Sequence, residues 1–279
     1  MTRGLLTPGD IRRLLDDHGL APSRAFGQNF VIDGNTLRKV VRDAGVGPGD
    51  LVCEIGPGVG SLTLALRAAG ARVVAVEIDA GMVRALEEVV GGDGGVRVVH
   101  GDALAVDLAG LVGGGPAALV ANLPYNVATP LVMAALACGA FRRLVVMVQR
   151  EVGRRWAASP GDPLYAAVSV KIRAQAEARL LAAVSRTAFY PVPNVDSVTV
   201  GLDPRPWDLP IERDALFPLV EAGFAQRRKR LRNALAVSHG PAPVVEAALA
   251  QAGLPVGARA EELGLDEWAR LAVALSPDP

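Results

Sequence analysis

Short apolar runs alternate with stretches of helical period through the middle of the chain. Residues 51–55, 72–78, 96–99, 117–121 and 144–148 are apolar runs of strand length. Residues 62–69, 81–90, 130–137 and 151–158 place their apolar positions three and four apart, which predicts amphipathic helices. Strands and helices in alternation, with short connections, predict a mostly parallel sheet covered on both faces. Upstream, Thr7-Pro8-Gly9-Asp10 combines a hydroxyl cap, a proline at the first helical position and an acid in the first turn. Ile11, Leu14, Leu15 and His18 then share one face, and a second helix is predicted from about Asn35 to Ala44.

Residues 165–175 read as a helix, and 179–185 and 195–202 as two late strands joined through Phe189-Tyr190-Pro191-Val192-Pro193. No helical period separates those strands, so an antiparallel hairpin is expected to complete a seven-stranded sheet. Beyond Asp203-Pro204-Arg205-Pro206 only helical patterns remain. The expected organisation is therefore an α/β domain over 1–204 and a small all-helical C-terminal domain over 205–279.

Composition narrows this further. Of 279 residues, 51% are hydrophobic and only 4% aromatic, as in a globular α/β protein. The formal charge is zero, so a nucleic-acid surface would have to be a local patch. Cys53 and Cys138 sit in separate apolar runs, and His18, His100 and His239 are scattered, so no zinc-binding pattern is present. Buried, reduced thiols in a reducing compartment are expected. The start Met1-Thr2-Arg3-Gly4 has no apolar segment of signal-peptide type. The uncharged stretch between Asp107 and Arg142 is long enough for a membrane span, but Gly113-Gly114-Gly115-Pro116, Pro124 and Pro130 cut it into core-sized pieces.

The candidate chemistry lies where the predicted strands end. Asn122-Leu123-Pro124-Tyr125 follows the run at 117–121 and brings an amide, a proline carbonyl and an aromatic ring to one turn. An amide oxygen and a backbone carbonyl can accept both N–H bonds of an exocyclic amine while the ring stacks on its base. Accepting both bonds favours tetrahedral nitrogen and frees its lone pair for attack on a methyl group. Earlier, Glu54-Ile55-Gly56-Pro57-Gly58-Val59-Gly60 ends the first strand and opens a helix, Glu77 ends the second strand, and Asp102 follows the third. An acid at the second strand end is where such folds grip ribose hydroxyls. The glycines run G-x-G-x-G rather than the G-x-G-x-x-G of dinucleotide-binding folds. With no pyrophosphate to cradle, the parts suit S-adenosylmethionine.

On these residues the chain resembles the ribosomal RNA adenine N6,N6-dimethyltransferases of the small subunit. The resemblance runs through Phe26-Gly27-Gln28-Asn29-Phe30, 54–63, Val76-Glu77-Ile78-Asp79, Gly101-Asp102-Ala103, Asn122-Leu123-Pro124-Tyr125-Asn126, 189–197 and Phe224-Ala225-Gln226-Arg227-Arg228-Lys229. It implies a Rossmann-like S-adenosylmethionine-dependent methyltransferase that dimethylates two adjacent adenosines in the 3′-terminal hairpin loop of 16S rRNA. It also implies that Gln28, Asn29, Val31, Gly56, Gly58, Glu77, Ile78, Asp102, Ala103 and Asn122 line the cofactor site. Of these, Gly56 would meet the methionine end, Glu77 the ribose and Asp102 the adenine amine. Asn122, Pro124, Tyr125 and Phe189 would act on the target base, with the two rings sandwiching it. The chain has Tyr165-Ala166 where family members often carry Tyr-Gly, which bears on local RNA contacts rather than on the chemistry.

Arg227-Arg228-Lys229-Arg230-Leu231-Arg232 is the densest basic run, and no acid lies between Glu221 and Glu246. Phe224, Leu231 and Leu235 would anchor one face of a helix carrying it. A solvated face is the plain alternative; contact with RNA phosphates is the expectation, joined by Arg142 and Arg143 or by Arg154 and Arg155. The expected partner is small-subunit rRNA in a pre-30S particle, met by a cytoplasmic monomer away from membranes. Two other readings stay open at this point: a large-subunit (23S) rRNA adenine N6-methyltransferase of the macrolide-resistance type, and an RNA-binding ribosome-assembly factor with incidental catalysis.

Overall fold

The computed structural model describes residues 4–22 and 28–276. Phe26 and Gly27 of the motif before the second helix, and the first three residues, lie outside them. Nine strands occur among the described residues: β1 Phe30–Val31, β2 Leu51–Ile55, β3 Arg72–Glu77, β4 Val96–His100, β5 Ala117–Asn122, β6 Phe141–Gln149, β7 Ala176–Val184, β8 Phe189–Tyr190 and β9 Ser197–Pro204. Seven of them form one sheet in the order β4-β3-β2-β5-β6-β9-β7. Strands β2 to β6 pair in parallel, and β9 runs antiparallel to β6. Strand order reverses between β2 and β5. In open α/β sheets that switch point leaves a crevice at the carboxyl ends of the strands.

Burial explains why the apolar runs became strands. Ala117 to Ala121 of β5 and Val52, Cys53 and Ile55 of β2 are all buried, as expected where helices cover both faces. Local capping sets the helix ends. Thr7 and Asp10 form a reciprocal capping box ahead of the helix Pro8–Asp17. Asp33 caps the helix Gly34–Ala44, and Asp79 caps Ala80–Val90. No helix among the described residues is long and apolar enough to cross a membrane.

Three local features depart from the pattern-based expectation. Helical structure in 165–175 is confined to Ala167–Arg173, and β7 begins at Ala176. The strands β1 and β8 pair antiparallel as a separate ladder, Phe30 with Tyr190 and Val31 with Phe189. Two residues are too few to carry a period, so periodicity did not reveal them.

By contacts the chain forms two compact units, 1–153 with 178–204, and 154–177 with 205–279. The second is helical, built on Leu216, Leu219, Val220, Leu249 and Trp268. Tyr165, Val170 and Ala174 join that same cluster, and the Tyr165 hydroxyl donates to the Leu263 carbonyl at 2.8 Å. Those contacts explain why 154–177 groups with the C-terminal helices rather than with the residues before it.

Candidate active site

The loop after β2 turns sharply at glycines that side chains would not permit. Gly58 has φ +55, and a Cβ there would meet the Phe30 ring at 2.7 Å. Gly60 has φ +93, and a Cβ there would meet Leu86 at 2.7 Å. Both the backbone conformation and the close approach therefore demand glycine. The helix Ser61–Ala68 starts immediately afterwards.

Glu77, the last residue of β3, is buried beside this loop. Its Oε2 accepts the Gly58 N–H and its Oε1 the Asp79 N–H, each at 3.0 Å. Burial pushes its pKa up, against the pull of those backbone donors. Glu54, near the end of β2, is 1% exposed and accepts the Thr63 hydroxyl at 2.6 Å. Burial raises its carboxyl to about 8, and Glu77 nearby adds to the shift.

Asn122 is the last residue of β5. Its Nδ2 donates to the Asn29 carbonyl at 2.8 Å, which orients the amide and leaves Oδ1 as an acceptor. The Pro124 carbonyl accepts the Val127 N–H at 3.2 Å and keeps a second lone pair. Tyr125 shares a 2.8 Å hydrogen bond between its hydroxyl and Ser197 Oγ, and burial raises its pKa.

Glu54, Glu77, Asn122 and Pro124 line one cavity of about 330 Å³. Gln28, Asn29, Val31, Gly56, Gly58, Glu77, Ile78, Asp102, Ala103 and Asn122 all line it, and so does Pro124. Its rim carries two exposed apolar side chains, Ile78 and Leu104. The Asp102 carboxylate holds the turn by accepting the Leu104 N–H at 2.9 Å. Glu54 and Ser61 are among the wall residues to which the sequence assigns no role. Ser61 Oγ is buried with no hydrogen-bond partner. A hydroxyl opening the helix after a glycine loop was the signal that could have marked it.

Phe189 stands elsewhere than expected. It is 1% exposed and packs in the core with Val31, Leu37 and Val184, off the cavity wall. Its place in the β1–β8 ladder, opposite Val31, draws the ring inward. Of the two rings expected to sandwich the base, Tyr125 is also off that wall, but it is half-buried and belongs to the turn that follows Asn122.

The basic run also differs from expectation. Arg227 to Arg230 occupy a turn between the helices Arg213–Ala225 and Leu231–Ala234, and Arg232 falls in the second of these helices. Gln226 leaves helical geometry with φ −125 and ψ 53, and Arg230 is extended ahead of the next helix. Acids distant in sequence take two of the charges: Arg227 pairs with Glu261 and Arg232 with Glu246, both at 2.7 Å. Arg228, Lys229 and Arg230 are exposed, with no ion pair among the described residues. Arg142 and Arg143 lie at the start of β6, the end away from Asn122, and face Asp50 at 3.6 Å and Asp203 at 3.5 Å. Their position and pairing remove them from the strand-end surface. Arg154 and Arg155 belong to the helix Arg150–Trp156.

Comparison with known proteins gives a consistent result. The family profile described as ribosomal RNA adenine dimethylase matches residues 21–275. A protein of Thermobifida fusca called ribosomal RNA small subunit methyltransferase A is 48% identical over 275 residues, covering 96% of this chain and 95% of its own. Its namesake in Leifsonia xyli is also 48% identical, covering 96% and 98%. Among solved structures, the 23S rRNA methyltransferase ErmE is 28% identical with a TM-score of 0.67, over 88% of this chain and 99% of that one. A dimethyladenosine transferase from Plasmodium falciparum shares the fold at a TM-score of 0.73 and 23% identity, over 87% and 95%.

Proposed function

The chain belongs to the ribosomal RNA adenine dimethylase family, and on that premise we propose that it dimethylates N6 of two adjacent adenosines in the 3′-terminal hairpin loop of small-subunit rRNA. The observation that carries this reading is Asn122: a strand-end amide whose N–H is held by Asn29, so that its oxygen serves as an acceptor at the cavity. The 48% identity to small-subunit enzymes, against 28% to the 23S enzyme, favours the small-subunit substrate.

The residues present fit S-adenosylmethionine. The buried, unpartnered Ser61 Oγ and the N–H groups at the start of its helix suit a carboxylate. Glu77 suits ribose hydroxyls, and Asp102, which lines the cavity together with Ile78 and Leu104, suits the amine of a flat base. Bound there, S-adenosylmethionine supplies a methyl group already activated by its sulfonium. Asn122 Oδ1 and the Pro124 carbonyl accept the two N–H bonds of the target amine, which pulls its lone pair out of the ring system. Such fixed acceptors act without reorganising as the amine becomes tetrahedral. The surplus proton passes to water, so no general base is assigned.

Extruding a base costs a few kcal/mol. One stacking platform, Tyr125, returns about 1–3 kcal/mol. With Phe189 buried, a single platform favours an adenine already unpaired in a loop over one in a duplex. We take the partner to be a pre-30S particle and the protein a cytoplasmic monomer. Cys53, whose thiol burial pushes up to about 12, suits a reducing compartment. The test is incubation with labelled S-adenosylmethionine and unmodified small or large subunits, then digestion to nucleosides. N6,N6-dimethyladenosine from the small subunit alone is expected; label in the large subunit alone overturns the substrate assignment.

A further inference from the structure

A second cavity of about 330 Å³ opens among Gln149, Arg150, Arg186, Asn194 and Asp196. Its size is at the lower end of the ~300–1,000 Å³ that small-ligand sites occupy. None of these residues enters the chemistry described above, yet the cavity adjoins it. Ser197, which holds the Tyr125 hydroxyl, follows Asp196 in the chain and pairs with Gln149 in the β6–β9 register. The pocket therefore stands just beyond the aromatic residue on which the target base stacks.

Asp196 fixes its shape. The Asp196 carbonyl accepts the Arg150 N–H at 3.0 Å, and its Oδ1 accepts the Arg186 N–H at 3.3 Å. Its Oδ2 faces the Arg150 guanidinium at 3.4 Å. The carboxylate charge is thereby shared between the Arg186 N–H and the Arg150 guanidinium. The Arg186 guanidinium is exposed and has no ion pair among the described residues. The walls thus offer guanidinium donors beside carboxylate and amide acceptors, with an exposed Glu151 at the edge. A bare anion has no use for the acceptors. A nucleotide unit uses both, through its phosphate and its hydroxyl and amine groups.

We propose that this pocket holds the rRNA nucleotide adjoining the target adenosine, with Arg186 on its phosphodiester. The proposal rests on the reading that the substrate is rRNA. It assigns a second anchor next to the stacked base, so that register along the loop is set by a backbone contact.

Arg186→Ala, Arg186→Glu and Asn194→Ala test it. For Arg186→Ala, the KM for unmodified small subunits is expected to rise about three- to tenfold, with kcat and cofactor affinity unchanged. Its log–log salt dependence should flatten by about 0.7–0.9, one phosphate contact. Arg186→Glu should weaken binding further, and Asn194→Ala less than either. Binding of the hairpin RNA, read by fluorescence anisotropy, keeps the two readings separable. If wild-type protein transfers no methyl group but Arg186→Glu still weakens hairpin binding, the pocket stands and the reaction assignment falls. If wild-type protein methylates the small subunit and Arg186→Glu matches it in KM and salt slope, the pocket assignment is wrong. A fall in kcat at constant KM also overturns it, because Arg186 would then act through Tyr125 rather than on RNA.

Discussion

The cofactor cavity and the basic turn were both conspicuous as sequence, but they behave differently as structure. In the cavity three polar groups sit at or near strand ends, each oriented by neighbours: Glu77 by Gly58 and Asp79, Asn122 by Asn29, Glu54 by Thr63. In the basic turn the charges are near-identical in sequence, yet two are drawn off by Glu261 and Glu246 while three stay exposed. Residue type at a strand end predicts a role because the sheet fixes what surrounds it. Residue type in a charge run does not, because the partners come from elsewhere in the chain.

The sharpest way to break this contrast is Asn122→Ala. If the cavity is preorganised as described, kcat should fall at least about 100-fold, the scale for losing one fixed transition-state hydrogen-bonding group. Cofactor affinity should change much less. Single-turnover methylation of unmodified small subunits measures it, and a loss under threefold would remove Asn122 from the chemistry. Glu77→Ala should act at the other end of the cavity, weakening cofactor binding about 10- to 100-fold, the range for a hydrogen-bonded charge. Titration calorimetry on the purified variant reads this, with kcat at saturating cofactor expected to hold.

Most of the fold was legible because buried parallel strands read as unbroken apolar runs, and the strand ends then located Gly56, Glu77, Asp102 and Asn122. What was not legible depended on pairings remote in sequence. The stacking role of Phe189 rested on the family resemblance alone; its ladder with Val31 buries it. The Arg227–Glu261 pair spans 34 residues and the Arg232–Glu246 pair 14, so a local charge count misses both. Ser61 opens the helix after the glycine loop, but its burial without a partner depends on the packing around it.

Glu54 sharpens the cavity side of the contrast through pH. A glutamate ordinarily releases its proton near 4.5, whereas Glu54 in the folded protein holds it to about 8. Between those values the folded state carries the extra proton. The stability this group lends is therefore complete below the lower value and lost as pH rises through about 8. The slope is at most about 1.4 kcal/mol per pH unit. Glu54→Gln should flatten the fall in melting temperature between pH 5 and 8. A fall identical to wild type would mean that Glu54 is ionised in the folded protein.

The smallest effects belong to the basic turn, and their division tests whether spatial pairing rather than charge count decides RNA contact. Replacing Arg228, Lys229 and Arg230 together with Ala removes three exposed charges. If each meets a phosphate, the log–log salt dependence of rRNA binding should flatten by about 2–3. Arg227→Ala removes the same charge type from the same run, but Arg227 also donates to the Pro163 carbonyl at 2.8 Å besides holding Glu261. Its ion pair is about one-third exposed on each side, so its loss should cost no more than about 1 kcal/mol of stability. The salt slope of Arg227→Ala should stay that of wild type. Equal flattening per charge removed in the Arg227 variant and the triple variant would show that neither protein nor RNA distinguishes paired from unpaired charge here, and the run would then act as one diffuse patch. A flattened slope for the triple variant alone would assign RNA contact to the three exposed side chains and leave Arg227 holding its turn in place.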